Sequence, residues 1–392
     1  MIKPESPTAC QFIHIYPSNL RYASRIMRIA RSLTLNRIAV PICLVGIQKG
    51  DAPENEKVSA EIQIWRVPVK KYRIQNRKIN RILRYTNWVS RICAEFSGQQ
   101  IRMVNCHSIY DLPAGVLLKW KTRCILVYDT HELETERNEL KGLLKIAFKI
   151  TEKLLIPFCD QIFTVSDSIR DWYKSRYPGK RVQTILNIPA DNVLLTKQPI
   201  ISLRSRFDIP DESLIFLYLG LLSSGRGLDL MIRIFSTGPV SRHLVLIGYG
   251  SLFEPIRRRI QAYPNIHLMD AVPQEMIQAY AATADVGLVL IERTCLSYYY
   301  CLPNKLFENH RAGIPCIVSD FPELSRFVKK YKCGWKTAAS KDAFSRLVNG
   351  LSHAKIEAMR IAMHRINDPP RWENEEKKLL AAYAVLLKKE SS

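Results

Sequence analysis

Asn304, Lys305 and Glu308 lie within one helical turn of each other, in a segment that opens with Pro303 and closes with Gly313. Pro in the first turn of a helix loses no needed hydrogen bond, and Gly after the last turn accepts a left-handed cap. Ile314 and Cys316 to Val318 then form a compact apolar run of the kind a buried parallel strand needs. The pattern predicts a helix whose unpaired N–H groups lie near Asn304 and Lys305, with Glu308 one turn deeper. An anion at that helix start and hydroxyls at the carboxylate would hold a nucleotide diphosphate and its ribose together. An ordinary ion pair between Lys305 and Glu308 on a solvated helix is the plainer alternative.

A second candidate follows the apolar run ending at Gly220, where Gly225, Arg226 and Gly227 form a strand-to-helix turn. A flexible backbone with free N–H groups and one cation suits a diphosphate, although most such turns are only tight connections. Gly248 and Gly250 flank Tyr249 after a further strand, where a plain turn is the competing explanation. In the first half, His107 ends the run Asn105-Cys106-His107, and Asp129, His131 and Glu132 follow the next one. Those three polar groups either orient an acceptor hydroxyl or order the loop.

Positioning these residues is the task of an alternation of short apolar runs with amphipathic stretches, the signature of parallel α/β sheets. Strands are expected at Cys10–Tyr16, Ile38–Ile47, Ile62–Val67, Ile101–His107, Cys124–Asp129, Gln161–Ser166 and Arg181–Leu186. After the polar stretch 190–212 they resume at Leu214–Gly220, His243–Ile247, Ile266–Met269, Val286–Ile291, Ile314–Val318 and Gly334–Lys336. The fold expected is two Rossmann-like doubly wound domains, 1–195 and 205–370, facing a cleft, with the linker in that polar stretch. A terminal helix in 371–392 carries Leu379, Leu380, Tyr383, Leu386 and Leu387 at helical spacing.

At 392 residues, 47% hydrophobic and 24% charged, the chain has the size of two globular domains. Ten Cys without a C-x-x-C pair fit free thiols in a reducing cytoplasm. Residues 1–9 are polar with two Pro, so no signal peptide is visible, and runs such as Leu214–Leu222 fall well short of a membrane span. The net charge is +22, and residues 1–200 hold 32 Lys and Arg against 17 Asp and Glu. The segment 62–94 has nine basic residues (Lys70, Lys71, Arg77 and Lys78 among them) and no acidic one. Its second part reads as a basic amphipathic helix suited to anionic lipid headgroups, each cation contributing about 1 kcal/mol near such a surface. The segment 141–158, with Lys141, Lys145, Lys149 and Lys153, is a second candidate. A core-packed helix with a solvated cationic face is the alternative for both. Nucleic acid is the other partner such charge suggests, but the cations lack the aromatic interleaving of single-strand binders.

The run Pro303-Asn304-Lys305-Leu306-Phe307-Glu308 with Ala312-Gly313-Ile314-Pro315 resembles the nucleotide-sugar site of GT-B glycosyltransferases of the retaining family four. The resemblance implies that Glu308 accepts ribose hydroxyls and that the helix start faces the donor diphosphate. The family's pattern has a first Glu that falls on Tyr300 here, which puts the usual donor-sugar contact in doubt. By the same resemblance Gly220, Arg226, Gly227, Gly248 and Gly250 line the donor, with Leu221 replacing one family cation, and 271–276 backs the base. The resemblance further implies that His107 points toward the donor sugar, that Asp129 and Glu132 belong to the same centre, and that Asp285, Ser166 and Asn187 are structural. The expectation is a metal-independent, retaining transferase that uses an NDP-sugar and no other cofactor. Its acceptor would be a lipid-linked or oligosaccharide precursor of a surface polysaccharide, with the enzyme peripheral at the cytoplasmic face of the inner membrane. A sugar-nucleotide epimerase on the same fold and a basic nucleic-acid-binding protein are the rivals.

Overall fold

Apolar runs flanked by helical stretches become parallel strands here because helices cover both faces of each sheet. In the computed structural model, residues 10–70, 72–189 and 202–390 are described, Lys389 and Glu390 by backbone only. Two compact units result: residues up to Leu186 together with those from Glu373 onward, and Asn187–Trp372.

The first unit runs β1 (Phe12–Ile15), α1 (Ser24–Leu35), β2 (Ile42–Ile47), β3 (Asn55–Lys57), β4 (Ile62–Val67), α2 (Arg77–Phe96) and β5 (Met103–Cys106). It continues with α3 (Leu112–Thr122), β6 (Ile125–Asp129), α4 (Gly142–Leu155), β7 (Gln161–Thr164), α5 (Asp167–Arg176) and β8 (Val182–Thr184). The eight strands lie in the order β3-β4-β2-β1-β5-β6-β7-β8. All pairs are parallel except β3 with β4. The winding reverses between β1 and β5, so the residues that follow these two strands flank a crevice at their carboxyl ends.

The second unit contains α6 (Leu203–Arg206), β9 (Leu214–Leu221), α7 (Leu228–Thr237), β10 (Arg242–Tyr249), α8 (Phe253–Ile260), β11 (Ile266–Asp270), α9 (Gln274–Ala282) and β12 (Val286–Val289). After these come α10 (Leu296–Tyr299), α11 (Asn304–Arg311), β13 (Cys316–Ser319), α12 (Pro322–Tyr331), β14 (Gly334–Thr337), α13 (Lys341–Gly350) and α14 (His353–His364). Its sheet is wholly parallel, in the order β11-β10-β9-β12-β13-β14. Along β9, Leu214, Phe216 and Tyr218 enter one core while Ile215, Leu217 and Leu219 enter the other. Here the winding reverses between β9 and β12.

The last helix, α15 (Trp372–Glu390), packs in the first unit. Leu379, Tyr383 and Leu386 are buried, the Tyr383 ring stacks on Phe163, and Glu375 accepts from the Leu186 N–H at 2.9 Å.

Some expectations need correction. The chain divides after Leu186, and the described part of the 190–212 stretch is no free linker: Leu203 and Ile209 are buried in a core of the second unit. Residues 190–201, like 1–9 and Lys71, lie outside the described residues. Strand β2 begins at Ile42 rather than Ile38, and β10 extends to Tyr249. Strand β3, an exposed and wholly polar edge, was not expected. In α2 only the second half turns into the core, through Trp88, Val89, Ile92, Cys93 and Phe96, while Ile79 and Ile82 stay exposed among the cations.

Candidate functional site

In the second unit the turn after β9 and the loop after β12 meet at the winding reversal. Gly227 starts α7 in the left-handed conformation, φ 66°, which a β-carbon would strain. Its N–H donates to Glu292 from the loop after β12 at 3.3 Å, and the Glu292 N–H donates to the Gly225 carbonyl at 3.0 Å. Arg226, between these glycines, lays its guanidinium 4.8 Å from the ring centre of Tyr298 in α10. Lys305, in the first turn of α11, places Nζ 3.9 Å from the ring centre of Tyr218 in β9. An aromatic face attracts a cation but accepts no ordinary hydrogen bond. Lys305 Nζ and Arg226 Nε are buried and have no hydrogen-bond partner among the described residues. Burial, reinforced by the nearby Arg226, pushes the Lys305 ammonium down to about 7. Two cations with unused donors, at the carboxyl ends of the strands where the winding reverses, have the chemistry to receive an anion.

Helix α11 brings the rest. It packs tightly on β12 because Gly287 leaves room for Asn309; a β-carbon there would lie 2.3 Å from Asn309 Nδ2. Its N-terminus has no side-chain cap, and while the Leu306 N–H turns back to the Pro303 carbonyl at 3.1 Å, the N–H groups of Asn304 and Lys305 remain available. Asn187 braces it by donating to Asn304 Oδ1 at 2.9 Å, and Arg311 at the other end donates to the Pro189 carbonyl. Glu308 is half-buried; burial raises its carboxyl while Lys305 and Arg311 oppose the rise. It borders a cavity of about 30 Å³ shared with Pro189, Gln274, Gln278 and Arg311, beside the start of α9. Gly220, next to last in β9, lies opposite Gly248 of β10, and Gly250 follows that strand. The sequence thus pointed to Arg226, Gly227, Asn304, Lys305 and Glu308, and the structure groups them on neighbouring elements of one unit. Tyr300 closes α10 beside Tyr299, whereas Tyr298 is the tyrosine under Arg226. Tyr218 and Glu292 were not anticipated. Asp285 accepts from the Ile215 N–H at 2.7 Å and is structural, as expected from the sequence.

In the first unit, polar groups form a buried chain. The Tyr383 hydroxyl donates to Asn105 Oδ1 at 2.7 Å, and Asn105 Nδ2 donates to His14 Nε2 at 3.3 Å. His14 Nδ1 lies 2.9 Å from His107 Nε2, and His107 Nδ1 lies 3.1 Å from Asp129 Oδ2. With both imidazoles neutral and protonated at Nδ1, every link has one donor and one acceptor. Asp129 receives Arg25 at both oxygens, at 2.7 and 3.0 Å. Burial alone would raise this carboxyl, but Arg25 and the His107 hydrogen bond outweigh it and hold the group well below its usual range. His107 is 0% exposed with both ring nitrogens engaged. His131, between Tyr16 and His107, is the more accessible member at 24%. Burial, with His107 and Arg25, pushes its imidazole down against the pull of Asp129. Glu132 pairs with Arg137 at 3.5 Å. Glu134 is instead the buried acid, its carboxyl raised to about 8 by burial and held between Ser108 and Arg137. Ser166 caps α5 by accepting from the Ile169 N–H.

The ligating atoms of His107, Asp129 and His131 lie within 4.8 Å of one another, a spacing that suits a metal ion. The donor set does not. Both Asp129 oxygens already accept from Arg25, whose charge would repel a cation, and His107 has no free lone pair in the relay. The cluster is a hydrogen-bonded support.

These features define a two-domain α/β glycosyltransferase. The family model for Glycosyltransferase Family 4 matches residues 23–188, and that for Glycosyl transferases group 1 matches residues 200–365. The chain belongs to the group 1 glycosyltransferases, and its fold is GT-B. Similar solved structures include sucrose-phosphate synthase from Thermosynechococcus elongatus, with TM-score 0.76 and 15% identity, covering 97% of this chain and 100% of that one. HepE of Anabaena in complex with UDP and glucose aligns with TM-score 0.70 and 12% identity, covering 95% and 99%. The lipopolysaccharide outer core galactosyltransferase WaaB aligns with TM-score 0.63 and 14% identity, covering 94% and 98%. No curated protein matches the chain at a significant level. No helix among the described residues is long and apolar enough to cross a membrane.

Proposed function

We propose that this glycosyltransferase takes an NDP-sugar as donor and moves the sugar to an acceptor hydroxyl with retention, without a metal. The observation that carries the donor reading is the pair Arg226 and Lys305, each resting on a tyrosine ring with hydrogen-bond capacity left over, beside the uncapped start of α11. Charge grows on the diphosphate as the glycosidic bond breaks. Fixed cations and helix N–H groups in a dry site stabilise that charge more than they stabilise the ground state, which is the work otherwise asked of a metal. Glu308, one turn deeper, accepts the ribose hydroxyls. No described side chain is poised as a covalent nucleophile, which favours same-face attack. His131, backed by His107 and Asp129, is an accessible polar group of the first unit's crevice. That HepE binds UDP and that WaaB is a lipopolysaccharide outer core galactosyltransferase supports a nucleotide-sugar donor and a surface-polysaccharide acceptor; that the acceptor is lipid-linked and met at the inner membrane face is part of the proposal.

The test is a thermal-shift screen over UDP, GDP, CDP and dTDP, followed by transfer from the matching NDP-sugar and NMR assignment of the product anomer. Stabilisation by one of these nucleotides and a retained configuration are expected. A chain stabilised by none of them, yet bound to duplex DNA with a steep salt dependence, would refute the donor reading in favour of nucleic-acid binding.

A further inference from the structure

Helix α4 is amphipathic in the wrong sense for a surface helix of a globular domain. Its one buried residue is Glu152, whose carboxylate accepts from Tyr173 at 2.6 Å, Thr135 at 3.2 Å and Tyr177 at 3.3 Å. Opposite Glu152, at intervals of three and four residues, Leu143, Ile146, Ile150 and Leu154 are 85, 54, 54 and 63% exposed. Such spacing places them in one stripe on a helix. Scattered exposed apolar residues are ordinary, but an unbroken stripe of large ones marks a contact surface. Cations border it: Lys145 and Lys149 are held along one flank by Glu136, and Lys141 and Lys153 stand at the ends. Beyond the C-terminus of α4 an open cavity of about 550 Å³ is lined by Lys153, Arg176, Lys180 and Tyr177, among others. The only acid within 141–158 is the buried Glu152.

We propose that α4 is the element that enters the interface of an anionic lipid bilayer, its leucine and isoleucine stripe among the acyl chains and its lysines and the adjacent cationic cavity on lipid phosphates. The occupant follows from the charge. A second copy of this chain, net charge +22, would bring like charge against Lys141, Lys145, Lys149 and Lys153, whereas an anionic leaflet neutralises them. This moves the deeper contact from 62–94, whose exposed part is mostly cationic, to a helix whose exposed side is apolar. It extends the reading of a membrane-side acceptor, and it is measured without sugar transfer.

The experiment is co-sedimentation of the full chain with vesicles of equimolar phosphatidylcholine and phosphatidylglycerol at physiological salt. Replacing the stripe (Leu143→Ser, Ile146→Ser, Ile150→Ser, Leu154→Ser) removes exposed side chains and no charge. The vesicle partition coefficient should fall at least about tenfold, with the unfolding midpoint unchanged. Lys141→Gln with Lys153→Gln should flatten the salt dependence. A serine variant that sediments like the wild type overturns the proposal. So does a wild-type dimer in vesicle-free solution that the serine variant dissolves, because the occupant is then a second copy. A protein that glycosylates a soluble acceptor yet ignores vesicles refutes this inference and leaves the donor reading standing.

Discussion

Lys305 allows the donor reading to be tested with a pH meter. Its ammonium is buried on the Tyr218 ring and pushed down to about 7, so the empty site is half-charged near neutrality. A bound diphosphate favours the charged form, raising the lysine's affinity for its proton. The sign follows: below pH 7 the cation is already present and binding is insensitive to pH. Above it each binding event must take up a proton, and affinity falls by up to about tenfold, or 1.4 kcal/mol, per pH unit until the pKa of the complex is reached. The probe should be an intact NDP-sugar, because its diphosphate diester has no proton to lose over this range, unlike a free NDP. Calorimetry between pH 6 and 9, in two buffers of different ionisation enthalpy, reads both the affinity and the protons taken up. Wild type should take up close to one proton at pH 8 and almost none at pH 6. Lys305→Gln should bind weakly with a flat profile, and Lys305→Arg should be flat but tighter. A flat wild-type profile, or a slope that survives in Lys305→Gln, would falsify the assignment of Lys305 to the diphosphate.

Other substitutions separate binding from support. Glu308→Ala removes charge-assisted bonds to ribose of about 1.5–3 kcal/mol each, so NDP affinity should drop at least tenfold in calorimetry with little change in denaturant midpoint. Asp129→Asn leaves Arg25 buried without its counter-charge and should cost about 3–5 kcal/mol in urea unfolding. Because the Asp129 carboxyl is held below its unfolded value, wild type keeps this stabilisation above about pH 4 and loses it as acid is added, so the variant should show a shallower acid limb. Tyr383→Phe leaves Asn105 Oδ1 without its donor and should lower stability by about 1–3 kcal/mol while nucleotide affinity is unchanged. A loss of nucleotide affinity would show that the relay does more than support its own unit.

The strands were legible because parallel strands buried on both faces must be apolar along their whole length, as in Leu214–Leu219. Strand β3 was not, because Asn55, Glu56 and Lys57 form an exposed edge with no apolar pattern. Arg226, Lys305 and Glu308 could be found from local chemistry, since a cation between glycines and a carboxylate near a helix start are short-range signals. The rings beneath the cations could not, because Tyr218 and Lys305 meet only once β9 and α11 are assembled. His14 left one clue, a polar residue inside the apolar run Phe12–Ile15. Helix α4 shows a different limit. Periodicity shows two faces but not which one turns inward, and the usual rule would have buried Ile146 and Ile150. Glu152 was the signal available: a lone acid opposite an apolar stripe, beside lysines that could all have remained in water.

The two crevices differ in how their polar groups are satisfied, and that difference argues for a division of labour. In the first unit Tyr383, Asn105, His14, His107, Asp129 and Arg25 complete one another's hydrogen bonds. A buried network satisfied in this way fixes geometry and gains nothing from a ligand. In the second unit Lys305 Nζ and Arg226 Nε are desolvated without a hydrogen-bond partner, an arrangement that costs stability until an anion arrives. A folded chain tolerates that cost where binding recovers it. The histidine and aspartate of the first unit, which by residue type look most like catalysts, have their hydrogen bonds met within the fold, and the strongest demand for a ligand lies with a lysine and an arginine resting on tyrosine rings.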